Sequence, residues 1–484
     1  MTGTGAQRAW GNTIDWYLVG AYLLLVLLGW LNIYASEYDP ENVRSIISWD
    51  MRSGKQLVWI GTSLPLGLLI LFFISPRSLE TLSPLLYGVM LLLLVAVIFL
   101  GANTRGSHSW FVLGPVSFQP AELSKITTAL LLANRMSRYN FRLTQRRDFL
   151  RTAAIILLPM LIIVAENETG SALVYLSFLF MLYREGLSGW WLLLLLMIVV
   201  VFILTLALSP YVALWVTMAV AAVCVCAERA AMRTFFRIYL PAGLVMAFYP
   251  MMYRSWMASG PLAFLRPSWM LLAAALVMFV VYLVKAWKEK NSFRMFVAFA
   301  LVLGLVITRV VPWVFQNVLQ DHQRIRIEVL LGMKEDPAGA GYNVRQSMIA
   351  IGSGGFWGKG WLQGTQSSYG FVPEQSTDFI FCTVGEQWGF VGCLFIIALY
   401  VFLIGRIMVL SEGSREAFTR IYGYSIAGII FMHLMVNIGM TIGLMPVIGI
   451  PLPFLSYGGS SLWSFSIMIF IFVALIRNEK KYFL

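Results

Sequence analysis

Charge is what this chain has least of. Only 12% of its 484 residues are Asp, Glu, Lys or Arg, against about 25% in an ordinary soluble domain. With 59% of the residues hydrophobic, a soluble-core reading fails, because too many apolar runs reach the roughly 20 residues that cross a bilayer. Cysteine is scarce too: Cys224, Cys226, Cys382 and Cys393 all lie in apolar runs. Cys224 and Cys226 form a C-x-C without a His or Cys nearby, so they read as packing residues and not as a metal site or disulfide. The N-terminal MTGTGAQRAWGNTIDW lacks the apolar stretch of a cleaved signal peptide, so the first hydrophobic run reads as a retained span. No stripe of basic and aromatic residues stands outside the apolar runs, which sets nucleic acid aside as the meaning of the +12 net charge.

What the chain has is apolar length. Runs fall near 16–36, 56–75, 80–101, 119–136, 152–166, 170–183, 188–208, 211–227, 237–253, 267–284, 295–315, 379–403, 421–445 and 457–476. They predict an all-α polytopic membrane protein with about fourteen transmembrane helices. Basic residues crowd the loops on one side. Arg135, Arg138, Arg142, Arg146, Arg147 and Arg151 share one loop, and Lys285, Lys288, Lys290 and Arg294 share another. By the positive-inside rule both termini are cytoplasmic, and the long loop over about 316–378 is extracytoplasmic. A connector of that length is often functional.

Three segments carry ionisable or backbone features that lipid does not tolerate idly. The long loop mixes Asp321, His322, Arg324, Arg326, Glu328, Lys334, Glu335, Asp336, Arg345, Lys359, Glu374 and Asp378 with the glycine-rich IGSGGFWGKGWLQGTQ. It reads either as a solvated loop or as a site for a charged, membrane-bound substrate. The glycine pattern is neither a dinucleotide fingerprint nor a P-loop, since no strand precedes it. In FQPAELSKITTALLLA, Glu122 and Lys125 share a helix face. Ionisable groups in a span are costly and face a bundle interior or a cavity. The pair is a packing ion pair or the lining of a substrate cavity, and Glu166 and Glu168 in AENETGS pose the same choice. In NIGMTIGLMPVIGIPLPFLSYGGSS, prolines and glycines interrupt an apolar stretch over 437–461. Such backbone must be buried in protein or line a cavity, which favours a re-entrant segment over a plain turn. His433 in the run before it reads as a packing histidine.

PVSFQPAELSKI, GAGYNVRQSMIAIGSGGFWGKGWLQGTQSSYGFVPEQSTDFIF and NIGMTIGLMPVIGIPLPFLSYGGSS together resemble the signatures of the shape, elongation, division and sporulation family, in the order that family has them. DHQRIRI and GKGWLQGTQ look like its elongation branch. The resemblance implies a peptidoglycan glycosyltransferase that polymerises lipid II during elongation and rod-shape maintenance. It would work in the bacterial cytoplasmic (inner) membrane with a class B penicillin-binding protein, the elongation machinery and membrane lipids, and without nucleic acid. It implies a core of about ten spans, with about four more inserted over 188–293 between core parts 1–187 and 294–484. Asp336 in KEDPAGAGY matches the family's essential aspartate and would be the general base. Glu122 and Lys125 match its intramembrane pair, and Trp110 its tryptophan. Arg324, Arg326, Arg345, Lys359, Gln366 and Ser456 are the further substrate-binding candidates. A divalent cation, Mg or Mn, is expected, and no motif locates it.

The chain departs from the family at two places. Ser109 stands before Trp110 where the family commonly has Arg, and Glu166-Asn167-Glu168 stands where the family has Gln-Pro-Asp. The same spans and buried charges would also serve a flippase for lipid-linked precursors or a noncatalytic scaffold. Only a polymerase needs Asp336 for bond formation.

Overall fold

The computed structural model describes residues 14–104, 107–114, 116–228, 235–254, 266–334 and 339–483. The chain divides into two compact units, 1–187 with 336–484, and 188–335.

The first unit begins with α1 (Trp16–Ser36), α2 (Arg52–Phe73) and α3 (Pro76–Leu100). Asp15 accepts from the Leu18 amide and Ser75 from that of Ser78, two N-caps that satisfy donors a helix leaves open. Three short antiparallel strands follow, β1 (Ala102–Thr104), β2 (Ser107–Leu113) and β3 (Val116–Phe118). No apolar run announced this hairpin, which turns the chain back before α4 (Pro120–Met136). Next comes α5 (Arg146–Ala165), which starts earlier than its apolar run because its first turn carries the charged residues Arg146, Arg147 and Asp148. The expected segment 170–183 is not one straight helix. It is α6 (Thr169–Val174), a 3-10 turn (Tyr175–Ser177) and α7 (Phe178–Arg184).

The second unit holds α8 (Trp190–Ala207), α9 (Pro210–Glu228), a π turn (Phe235–Tyr239), α10 (Leu240–Met252), α11 (Pro267–Lys288), α12 (Ser292–Asn317) and α13 (Asp321–Leu330). Its core joins Ala221, Tyr282, Val297, Ala298 and Leu301 from α9, α11 and α12.

The first unit resumes with α14 (Ala340–Ser353), α15 (Thr365–Ser368), α16 (Ile380–Glu412), α17 (Ala417–Thr441) and α18 (Gly459–Phe483). The expected loop 316–378 thus contains three short helices, α13, α14 and α15. α17 and α18 are its central helices: 78% of their apolar windows is buried, against 17% for α5. Both are enclosed by the other helices of the unit, with α4 against α17 and α2 against α18. Among the described residues, eleven helices are long and apolar enough to cross a membrane. α4, the 169–184 pieces and the 235–252 helix fall short of that measure, so the count of fourteen stays an expectation.

The stretch 442–458 is non-helical and re-enters the bundle. His433 Nδ1 lies 3.1 Å from the Pro451 carbonyl, and His433 sits eight residues, roughly 12 Å, before the end of α17. Leu452, Phe454 and Leu455 are buried, so this irregular backbone is enclosed by protein, as lipid requires.

Candidate active site

α4 opens on Pro120, and its first turn carries Glu122. One turn on, Lys125 Nζ donates to Glu122 Oε1 at 2.8 Å, with side-chain exposures of 0% and 4%. The expected pair is thus formed and enclosed. A third member comes from α17: His433 Nε2 lies 2.9 Å from Lys125 Nζ. Because His433 Nδ1 faces a carbonyl, that nitrogen carries the proton, and Nε2 is left to accept from the ammonium. Phe465 covers the group, 5.6 Å from Lys125 Nζ to the ring centre and edge-on to the imidazole. Glu122 Oε2 has no hydrogen-bond partner. Reading His433 as packing alone missed this contact; the available signal was an ionisable group inside a span.

The glycine-rich loop is built around an acid that the sequence reading passed over. Glu386, fully buried in α16, accepts from Lys359 Nζ, the Gln366 amide and the Ser367 amide, each at 2.8 Å. Lys359 also donates to Thr365 Oγ1. Gln387 accepts from the Leu362 amide at 3.1 Å. The loop docks where α16 breaks at Gly389, whose φ of 64° lies in the left-handed region. A Cβ at Gly389 would come within 2.3 Å of the Gly358 amide. Lys359 therefore spends its charge on Glu386, and Gln366 binds Glu386 through its backbone. The Gln366 side-chain oxygen is buried without a partner. Glu386 stands in the apolar FCTVGEQWGF, where an isolated acid was a legible signal.

The two family departures meet in space. Ser109 on β2 donates its hydroxyl to Glu168 Oε2 at 3.1 Å. Trp110 follows on β2, half-buried and in register with Ala102. Glu166 ends α5 as its C-cap. Glu168 is its like-charged neighbour. Gly170, just beyond, admits the Ile448 carbonyl so closely that a Cβ would lie 2.8 Å from it. The segment 166–170 thus abuts the re-entrant stretch.

The remaining candidates lie on several different elements. Ser456 is buried and holds that stretch together, accepting from the Leu452 amide and donating to the Thr377 carbonyl. Arg345 is exposed on α14. Arg324 on α13 of the second unit faces Glu328 at 3.4 Å and Asp321 at 3.9 Å, and Arg326 lies half-buried on the same helix. Asp336 lies outside the described residues, as does the side chain of His322. Among the described residues no three His, Cys, Asp or Glu side chains gather as a metal site. The arrangement that suits a hard divalent ion is a pair of acids with Glu166 orphaned among them, since Mg2+ is usually held by one or two carboxylates together with phosphates and water.

A multi-helix membrane bundle with a re-entrant segment and a buried acid–base group defines a polytopic enzyme or transporter class. The chain belongs to the FtsW/RodA/SpoVE family of cell cycle proteins, which it matches over residues 15–223 and 270–481. It is 32% identical over 455 residues to the peptidoglycan glycosyltransferase RodA of Treponema pallidum, covering 94% of this chain and 95% of that protein. It is 32% identical over 390 residues to the peptidoglycan glycosyltransferase MrdB of Escherichia coli, covering 80% and 76%. The fold is shared with the rod shape determining protein RodA of Thermus thermophilus, at a TM-score of 0.54 and 22% identity over 96% of this chain and 97% of that one. It is shared too with a chain from a study of polymerization and crosslinking by a peptidoglycan synthase complex, at a TM-score of 0.57 and 24% identity over 96% and 98%.

Proposed function

We propose that this chain is a peptidoglycan glycosyltransferase of the multi-pass bacterial membrane type, polymerising lipid II in the elongation system. The observation that carries the reading is its near-full-length likeness to a peptidoglycan glycosyltransferase, at 32% identity over 94% of the chain. The enclosed Glu122–Lys125–His433 group beside the re-entrant segment agrees with it. A flippase has no use for a base in the loop; a polymerase does.

In this reading Asp336 takes the proton of the acceptor sugar 4-hydroxyl as that oxygen attacks the anomeric carbon. The bond from that carbon to the pyrophosphate oxygen breaks, and an α-linked donor becomes a β-1,4 linkage by inversion in one displacement. Arg345 is the exposed cation that follows Asp336 in the chain, and we assign it to the departing pyrophosphate. The chemistry that a bound divalent ion supplies is further neutralisation of that leaving group. The loop faces the extracytoplasmic side and both termini face the cytoplasm, in keeping with the Arg-rich loops. A class B penicillin-binding protein is the partner that cross-links the product.

The test is polymerisation of purified lipid II with divalent metal and the cognate penicillin-binding protein, its transpeptidase inactivated. Polymer from the wild type and none from a folded, partner-binding Asp336→Ala chain is expected. Equal polymer from both removes Asp336 as the base, and none from either moves the reading to transport or scaffolding.

A further inference from the structure

Glu166 is 1% exposed, and neither carboxylate oxygen has a hydrogen-bond partner. Buried polar groups are nearly always satisfied, and a stripped carboxylate costs several kcal/mol unless something compensates it. Among the described residues, Glu168 is a neighbour of the same charge. Lys125, a buried ammonium of the same unit, is already shared between Glu122 and His433. Asn167 between the two acids has a left-handed φ of 63°, so the chain folds back there. Beside them stands the buried Ser109 hydroxyl, bound to Glu168 at 3.1 Å. Among the described residues, the donors of Glu166, Glu168 and Ser109 are hard oxygens, which suit Mg2+ or Mn2+ over zinc.

The place is also right for the chemistry. Glu166 caps the end of α5 that meets the re-entrant stretch, where Gly170 admits the Ile448 carbonyl. The same stretch reaches the start of α16 through Asn437, which donates to both the Asp378 and Ile450 carbonyls. Two protein carboxylates leave most of an octahedral shell for water and phosphate oxygens.

We propose that Glu166 and Glu168 are the protein ligands of a hard divalent cation, Mg2+ or Mn2+, with substrate pyrophosphate oxygens completing the shell. The role assigned to the ion rests on the glycosyltransferase reading, whereas its binding does not and is measured without substrate.

The experiment titrates Mn2+ into the purified full-length protein in detergent and follows free Mn2+ by electron paramagnetic resonance. It compares wild type, Glu166→Gln and Glu168→Gln. The wild type is expected to bind one Mn2+ saturably, and each variant to lose at least about tenfold in affinity. Melting curves check folding and give a second readout. Without metal, Glu166→Gln melts higher than the wild type, because an isosteric amide removes a buried acid from beside Glu168. With Mn2+, the wild type gains melting temperature and Glu166→Gln does not. Equal Mn2+ affinity in the wild type and Glu166→Gln overturns the proposal, as does a wild type without saturable binding. Saturable binding in a chain that makes no polymer would keep the site and remove the glycosyltransferase role.

Discussion

Lys125 Nζ lies 2.9 Å from His433 Nε2, across 308 positions of sequence. The contact joins α4 to α17 and sets the tautomer of the imidazole, since Nδ1–H is held by the Pro451 carbonyl. One hydrogen-bond chain therefore runs from Glu122 through Lys125 and His433 to the re-entrant backbone.

His433→Gln retains an acceptor for Lys125, and His433→Leu does not. Polymerisation per folded molecule is expected to survive largely in the first and to fall at least about tenfold in the second, the effect of losing about 1.4 kcal/mol or more of transition-state stabilisation. Lys125→Met alone strands a buried Glu122 and costs about 3–5 kcal/mol of stability. The double change Glu122→Leu with Lys125→Met recovers most of that melting temperature and none of the activity. Recovery of both would make the pair a packing device only.

The Lys359–Glu386 pair ties the glycine-rich loop to α16. Glu386→Gln and Lys359→Met, measured singly and together, are expected to show a coupling of about 2 kcal/mol, the range for hydrogen bonds to charged groups. Additive effects would mean that the loop is held by its backbone contacts alone.

Gly389→Ala places a methyl against the Gly358 amide at a left-handed φ. The strain alone costs about 1–3 kcal/mol, and the clash adds to it. A lower melting temperature and protease cleavage within 354–371 are expected, while Gly405→Ala, with nothing within 4 Å of its added carbon, leaves both unchanged.

Asp15 N-caps α1 and is gripped by Arg406 from α16. Burial works to raise its carboxyl, but the Arg406 bond and the Leu18 amide outweigh it and hold the group below the usual 3.8. A lowered acid stabilises the fold above its unfolded value and loses that contribution as pH falls through the folded one. Asp15→Ala is expected to cost about 1 kcal/mol at neutral pH. Its melting temperature should converge on that of the wild type below pH 3.8; a constant gap across that range would contradict the assignment.

Local patterns carried the fold far. Apolar runs of span length located the long helices, and the prolines and glycines of 437–461 marked the re-entrant stretch, because both follow from what lipid tolerates along one segment. The boundaries erred where the signal was not apolarity: α5 begins in charged residues, and the hairpin over 102–118 rests on cross-strand bonds. Glu122 and Lys125 were legible as a pair because one helical turn separates them.

The order of residues alone was enough for the class of molecule, its family and the identity of its buried charges. Which of these side chains meet was settled by the packing of the helices. It brought His433 to Lys125, gave Lys359 to Glu386, set Ser109 against Glu168 and left Glu166 without a partner. Helix and turn signals arise between residues a few positions apart. These contacts join distant segments, and their geometry depends on how whole helices pack side by side, which no local periodicity encodes.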